Sequence, residues 1–410
     1  MRLSDEERAM VAGELGEARR WATAHQIAVG EFFDAADFVP VSQAHIMADT
    51  EFSWRGWGAL SRNAGGGARG RAAGAGAGDH RPAGLDFAVY RRLGADAGDG
   101  GAGAVGDRGS ARLRRADDGY LHQLPDDHRA GPRRAYGVWR DRGRHLFEQR
   151  LWRTQQFRMR AVRVGRRAEG SDPRYGYHLD ACRRATRRFR FTAAPRDLSE
   201  WGALGGIVGE ACGSYWEVPV VEGIETVPGS DALKHFGTAL ASFGSVALFH
   251  MPGITAEEAV FAEPRPAPVT IGHAEIAVFL ARHAAPDDQV DDVVFGAPQL
   301  SLFEMEAVAA ALDGHRVHPN TTVIVATLPE IKHAADRMGL TRRIEAAGAI
   351  VAQGICFYQS YAREMAEANG WGRLMTNSAK LVNIIGGYGY RPTLASLERC
   401  VDSAIAGRVR

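Results

Sequence analysis

Lysine is scarce in this chain: Lys234, Lys332 and Lys380 are the only three, and arginine supplies every other fixed side-chain positive charge. A GC-rich gene, which favours arginine, alanine and glycine codons, accounts for that bias. Basic and acidic residues number 50 and 49, so the net charge of +1 gives no global pull toward nucleic acid or a membrane surface. Cysteine is also rare. Cys182, Cys212, Cys356 and Cys400 do not make a disulfide framework in 410 residues, and Cys182, Cys212 and Cys400 lack metal-type spacing. No run of 18 apolar residues exists, and the N-terminus opens on a charged helix pattern rather than a signal h-region. A cytoplasmic protein is expected, with no nucleic acid and no membrane as partner. Arginine runs such as Arg183-Arg184 and Arg187-Arg188 could touch phosphates, but the charge balance argues against that use. Walker, G-x-G-x-x-G, H-E-x-x-H and G-x-S-x-G patterns are missing from the well-patterned regions, which removes their nucleotide-binding, zinc-protease and serine-hydrolase readings.

What is present is uneven. Apolar residues make up 45% of the chain, enough for real cores in two or three domains. Between Arg55 and Tyr120, however, two-thirds of positions are Gly, Ala or Arg. Such a stretch buries too little apolar surface to offset its ordering entropy, so composition predicts disorder there. The flanks are patterned. Ser4 followed by Asp5, Glu6 and Glu7 reads as a capped helix start, continued at helical spacing by Met10, Val11, Leu15 and Trp21. Phe38-Val39-Pro40-Val41 reads as a short strand leading to a polar loop, Ser42-Gln43-Ala44-His45.

Beyond about residue 172, strand-like runs at Val218–Val221, Val246–Phe249, Val293–Phe295, Thr322–Ala326, Ala349–Ala352 and Leu374–Thr376 alternate with helical stretches. The latter fall at Asp231–Ala241, His273–Ala284, Ser301–Leu312, Pro329–Met338 and Leu394–Ala406. This alternation predicts an α/β fold of βαβ units with a largely parallel sheet. Three parts result: an N-terminal helix and strand at 1–52, an aberrant segment at 53–171, and an α/β region at 172–410.

Parallel sheets gather ligand sites at the carboxyl ends of their strands. Here those loops read Gly296-Ala297-Pro298-Gln299, Thr327-Leu328-Pro329, Gly354-Ile355-Cys356-Phe357-Tyr358-Gln359 and Thr376-Asn377-Ser378-Ala379-Lys380. In the last, backbone N–H groups, a hydroxyl and a cation together suit a carboxylate or phosphate. The plainer alternative is that Asn377 or Ser378 only caps a helix. A lone cysteine such as Cys356 is more often a buried apolar thiol than a ligand, and histidines such as His45 and His250 are more often satisfied structural ones.

Several segments taken together carry more information than any one motif. They are Leu3-Ser4-Asp5-Glu6-Glu7 with Gly13-Glu14, Val39-Pro40-Val41-Ser42-Gln43-Ala44-His45-Ile46, Tyr175-Gly176-Tyr177-His178-Leu179, Trp201-Gly202-Ala203-Leu204-Gly205, Phe295-Gly296-Ala297-Pro298, Gly354-Ile355-Cys356 and Thr376-Asn377-Ser378-Ala379-Lys380. In this order and spacing they resemble the large, catalytic part of the aconitase X family of hydro-lyases, over about 1–52 and 172–410. The resemblance implies an aconitase-like body of largely parallel βαβ units around a central cleft. It further implies an iron–sulfur cluster and dehydration of a small hydroxy acid. Bacterial members act as cis-3-hydroxy-L-proline dehydratases, giving Δ1-pyrroline-2-carboxylate, and archaeal relatives dehydrate phosphomevalonate. Carried over residue by residue, it makes Cys356 a metal ligand and Thr376, Asn377, Ser378 and Lys380 substrate-binding residues. Ser42 and His45 become catalytic candidates, His45 as an acid or base tunable near neutrality. Ala297 stands where a second family cysteine falls, which favours hydroxyproline as substrate. The family also has a small swivelling part; since the chain opens at the start of the large part, that part is expected as a separate subunit.

The sequence also departs from the family. A Thr-Cys-x-x-Tyr loop and an Asn-Ser-x-x-Gly-Ala-Arg loop belong in the middle of the chain, and neither is there. Only Gly84-Leu85-Asp86-Phe87-Ala88-Val89-Tyr90-Arg91-Arg92-Leu93-Gly94 looks like family sequence. Codons explain the gap. Phe147–Thr154 can be encoded so that a one-nucleotide shift reads Ser-Asn-Ser-Val-Tyr-Gly-Ala. The same shift at Gly119–Pro125 can give Asp-Thr-Cys-Ile-Asn-Tyr. One offset recovers both loops in order, so much of 53–170 reads as frameshifted, and a catalytically inactive remnant of the family is the alternative to an active enzyme.

Overall fold

The computed structural model describes residues 1–46, 77–80, 92, 134–137, 153–155, 170–255, 257–360 and 362–410. The chain divides into two compact units. One draws on Met1–Pro82, Ala104–Thr186 and Ala247–Pro266, the other on Ala83–Gly103, Arg187–Val246 and Ala267–Arg410.

The first unit opens with α1 (Asp5–Ala12), which Ser4 caps as expected. The Glu7 N–H donates to the Ser4 hydroxyl at 3.3 Å, and the Ser4 N–H donates back to the Glu7 carboxylate at 2.7 Å. The continuous helix suggested by Met10, Val11, Leu15 and Trp21 is broken. Gly13, at φ 86°, ends α1, and α2 (Glu17–Phe32) begins only after Gly16. A left-handed residue cannot propagate a right-handed helix, and glycine takes that conformation without steric cost.

Next comes β1 (Phe38–Ile46), so the expected polar loop at Ser42–His45 is the second half of a strand. Parallel to β1 run β2 (Ala77–His80) and β3 (Arg134–Gly137). β3 pairs in turn with β4 (Arg153–Gln155), and β5 (Ser171–Pro173) lies antiparallel to β1. β2, β3 and β4 are drawn from the aberrant 53–171 segment, β2 from its Gly/Ala/Arg-rich part. Apart from these strands and Arg92, the expected disorder, the 84–94 islet and the frameshifted loops lie outside the described residues. Asp172 and His178 form a buried pair at 2.6 Å. The Arg183 guanidinium donates to Glu257 at 3.0 and 3.1 Å, and its carbonyl meets His250 Nε2 at 3.1 Å. Burial lowers the pKa of His250, so the neutral ring donates that bond, a structural role.

The second unit starts with β6 (Arg187–Phe191), α3 (Leu198–Cys212), β7 (Pro219–Glu222), α4 (Ser230–Gly244), β8 (Pro268–Ile271) and α5 (His273–Arg282). Its three-stranded sheet runs β7-β6-β8, all parallel. The arginine run is β6: Phe189 and Phe191 are buried, while Arg188 forks onto Glu222 at 3.0 and 2.9 Å. That is strand alternation with one apolar face. α3 and α4 meet backbone to backbone. A Cβ at Gly205 would lie 2.2 Å from the Phe236 carbonyl oxygen, so only glycine allows the contact.

The chain continues through β9 (Asp292–Leu300), α6 (Leu302–Ala311), β10 (Thr322–Thr327), α7 (Pro329–Arg337), α8 (Leu340–Ala346), β11 (Ile350–Gln353), α9 (Ala362–Asn369), β12 (Arg373–Thr376), α10 (Ala379–Ile385), β13 (Arg391–Leu394) and α11 (Leu397–Ala406). The sheet order is β11-β10-β9-β12-β13, again wholly parallel. Both faces are buried. Val293, Phe295, Val323, Val325, Val351 and Met375 pack with Met305, Val308, Ile344 and Val401 on one side. Val294, Ile324, Ala326, Ile350, Ala352 and Leu374 pack with Met365, Leu381 and Ile385 on the other. Two buried faces require continuous apolar runs, which is how these strands read in the sequence. Each large apolar side chain so buried contributes roughly 1.5–3 kcal/mol. Among the described residues no helix is long and apolar enough to cross a membrane.

Five of the six expected strands correspond to β7 and β9–β12. Val246–Phe249 is buried but forms no strand.

Candidate active site

Because every strand of the larger sheet points the same way, the loops after β9, β10, β11 and β12 leave it at one edge. They are tied to one another by hydrogen bonds. Thr376, the last residue of β12, donates its hydroxyl to the Val294 carbonyl at 2.7 Å and accepts from the Ser378 N–H at 3.2 Å. The Ser378 hydroxyl donates to the Ala297 carbonyl and accepts from the Leu381 N–H at 3.2 Å, which caps α10. At the end of β10, the Thr327 hydroxyl donates to the Leu300 carbonyl at 2.7 Å, and its carbonyl accepts from the Gly354 N–H at 2.8 Å. Gly354 takes φ +69°, turning the chain from β11 into the Cys356 loop. The Gln299 amide then donates to the Ile355 carbonyl at 2.6 Å.

The expected substrate residues divide by what their side chains do. Thr376 and Ser378 spend their hydroxyl protons on backbone carbonyls and build the loop, so the helix-cap reading of Ser378 holds. Asn377 and Lys380 bring the polar ends that a ligand could meet. Asn377 is 7% exposed, and its amide bonds to none of the described residues. Lys380 is 5% exposed, with Nζ 5.7 Å from the centroid of the Tyr358 ring. Tyr358 follows Cys356 by two residues, so Lys380 and the Cys356 loop share a neighbourhood. Cys356 is half-buried, and its carbonyl accepts from Gln359 N–H at 2.9 Å and the Ser360 hydroxyl at 2.8 Å. Ser42 and His45 belong to β1 in the first unit, and their side chains lie outside the described residues.

A charged cluster beside these loops was not foreseen. Glu304 closes a capping box with Ser301 at the start of α6. Its carboxylate also meets the Lys234 ammonium and His235 Nε2, the latter at 2.8 Å. Lys234 lies 3.0 Å from Asp231, whose carboxylate accepts from the Ser301 hydroxyl at 2.7 Å. Burial alone would push the Glu304 carboxyl up; the Lys234 charge and His235 outweigh it and hold the group far below the usual carboxylate range. Two signals for this cluster stand in the sequence: the Ser-x-x-Glu spacing and the rarity of lysine.

Family models of the aconitase X second and third domains match residues 185–280 and 290–406, just over half of the chain in all. The chain belongs to the aconitase X family. A solved structure of Thermococcus kodakaraensis aconitase X, described as its holo form, superposes with a TM-score of 0.83 at 21% identity. It covers 98% of this chain and 100% of that one, a likeness of fold. The phosphomevalonate dehydratase large subunit of Methanothermobacter thermautotrophicus is 34% identical over 220 residues, 53% of this chain and 52% of that protein. The cis-3-hydroxy-L-proline dehydratase of Pseudomonas aeruginosa is 29% identical over 253 residues, 58% of this chain and 42% of that protein. The chain thus spans about half the length of the curated relatives it matches.

For an aconitase X cluster, the second unit offers one suitable thiol. Cys356 sits at a strand tip beside Phe357 and Tyr358, both buried. Cys212 and Cys400 are buried, and burial raises both thiols, Cys212 to about 12, so neither is ready to ionise and bind iron. Among the described residues no group of three His, Cys, Asp or Glu side chains is arranged to hold a metal ion. Cys356 therefore fits as one ligand, and the described residues do not complete the set.

Proposed function

We propose that this chain is the large part of a hydro-lyase that dehydrates a small hydroxy acid, with cis-3-hydroxy-L-proline as the substrate and Δ1-pyrroline-2-carboxylate as the product. The observation that carries the reading is the meeting of Asn377, Lys380 and the Cys356 loop at one edge of a parallel sheet. The Lys380 ammonium pairs with the substrate carboxylate, and the Asn377 amide donates to the same group or to the ring substituent beside it. Thr376 and Ser378 keep that loop rigid, which is how a positioned anchor lowers the barrier of a later step. His45, with Ser42, is assigned the proton beside the carboxylate on sequence grounds. Cys356 is this unit's contribution to the family's iron–sulfur cluster, which when bound would supply a Lewis acid for the departing hydroxyl. Ala297, at the second family cysteine position, supports hydroxyproline over phosphomevalonate. The identity to phosphomevalonate dehydratase large subunits keeps that acid as the second substrate to test. The words "large subunit" in the name of those relatives also support a separate small subunit as partner.

The test is an anaerobic assay of the iron-reconstituted chain, alone and with a family small subunit, against both hydroxy acids. Water loss from cis-3-hydroxy-L-proline only in the presence of the small subunit is expected. Turnover by the single chain would remove the partner, and turnover of phosphomevalonate alone would replace the substrate. Because the two mid-chain family loops are missing, an inactive remnant is the competing reading. A brown colour with a visible absorbance band after anaerobic reconstitution separates the two, and reading the gene across codons 50–175 tests the frameshift: an unbroken frame whose shifted reading lacks those loops removes that explanation.

A further inference from the structure

Gln299 holds an unusual place among the strand-tip residues, because it is gripped from both ends. Its backbone carbonyl accepts from the Lys234 ammonium at 3.4 Å, and Lys234 is itself fixed by Glu304 and Asp231. Its side-chain amide donates to the Ile355 carbonyl at 2.6 Å, one residue before Cys356. Gln299 is half-buried, and it directly precedes Leu300 and Ser301, which bond to Thr327 and Asp231. The buried ion cluster on α4 and α6 is therefore linked, through one glutamine, to the loop that carries Cys356 and Tyr358. Among the described residues, the loop is also tied by the Gly354 bond to Thr327, the Lys380 contact with Tyr358 and internal bonds from Gln359 and Ser360. Ile355, Phe357 and Tyr358 also pack in one core with Val294 and Ala297 of β9, and the Gln299 amide adds the directional bond that sets the Ile355–Cys356 peptide.

We propose that Gln299 is a positioning residue: its amide sets where the Cys356–Tyr358 loop stands relative to Lys380, with the Lys234–Glu304–Asp231 cluster as its fixed anchor. The inference deepens the proposed function and rests on that reading of the strand tips as the substrate site. A hydrogen bond from a clamped side chain to a loop carbonyl restricts the peptide plane, so losing it frees Cys356 to sample more exposed positions. Substrate contact need not involve Gln299 at all.

The experiment reads the thiol directly. Alkylation of Cys356 by iodoacetamide is followed by peptide mass spectrometry on the metal-free full chain, for wild type, Gln299→Leu and Gln299→Glu. Both variants lose the donated bond, and Gln299→Glu keeps the side chain's size. The expected result is a rise of roughly fivefold in Cys356 modification in both, the scale of one hydrogen bond. Cys212 and Cys400 stay protected as internal standards for global unfolding. An unchanged Cys356 rate in either variant, or a parallel rise at Cys400, overturns the inference. Iron uptake, measured separately on wild type, tests the reading beneath it. A chain that takes no iron but shows the fivefold change loses the metal assignment and keeps Gln299. A chain that takes iron but ignores Gln299 does the reverse.

Discussion

The Lys380 ammonium lies 5.7 Å from the centre of the Tyr358 ring, bringing the first turn of α10 against the loop that follows β11. That loop also carries Cys356, 24 positions before Lys380, while Asn377 directly precedes the cap of the lysine's helix. A buried cation beside an aromatic face and an uncommitted amide is a place where a small carboxylate exchanges water for protein partners.

Gly296→Ala should disturb this edge without touching a polar group. A Cβ there would stand 2.8 Å from the Ala326 Cβ on the neighbouring strand, and a methyl fixed to a strand backbone cannot swing aside. We expect about 1–3 kcal/mol of destabilisation from the overpacking, read as a lower urea midpoint. A midpoint equal to wild type would show that β9 and β10 separate freely.

Glu304→Gln tests the buried cluster and its pH dependence. The folded carboxyl titrates far below its ordinary value of 4.5, so its stabilisation is complete above that value and is lost as pH falls below it. At pH 7 the variant should be less stable by roughly 3–5 kcal/mol, since one partner of a buried ion pair is gone. The gap should narrow as the pH is taken below 4.5. Urea curves for the two proteins that keep a constant separation across that range would contradict the assignment.

Asp292→Asn makes the opposite prediction. Asp292 is 0% exposed at the start of β9, and neither carboxyl oxygen has a partner among the described residues. Burial first, and Asp291 second, raise its pKa well above 3.8, so it is held neutral. A raised folded value means stability is lost as pH rises from 3.8, because the unfolded chain ionises while the folded chain does not. The amide has no such titration, so the variant should gain on wild type from pH 4 to pH 7 by roughly 1–3 kcal/mol. Parallel pH profiles would mean that the carboxyl is ionised and partnered in the fold.

The central strands were legible because burial on both faces leaves no polar alternation to misread, as Val293–Phe295 and Thr322–Ala326 show. The edges were not. Pro268 in β8 and Pro392 in β13 weaken the strand signal, yet proline is tolerated on an edge strand. In β6, three arginines mask two buried phenylalanines. Val246–Phe249 misled in the other direction: an apolar run reports burial, and burial does not require a ladder. At the site, Thr376 to Lys380 reads as a ligand loop, but which hydroxyls bond inward depends on carbonyls about 80 positions away, Val294 for Thr376 and Ala297 for Ser378. The Lys234–His235–Glu304 cluster joins residues about 70 positions apart, a pairing that local pattern cannot announce. Codon bias accounts for the rarity of lysine but not for its placement: two of the three lysines are largely buried beside these loops.

Lys380 as the carboxylate anchor is tested most directly by titration calorimetry of cis-3-hydroxy-L-proline onto the full chain. Wild type should give a saturable heat that 5-phosphomevalonate does not match. Lys380→Met should weaken it by roughly 100-fold, the loss of a buried charged contact. Binding that survives Lys380→Met unchanged, or no binding of either hydroxy acid, would contradict it.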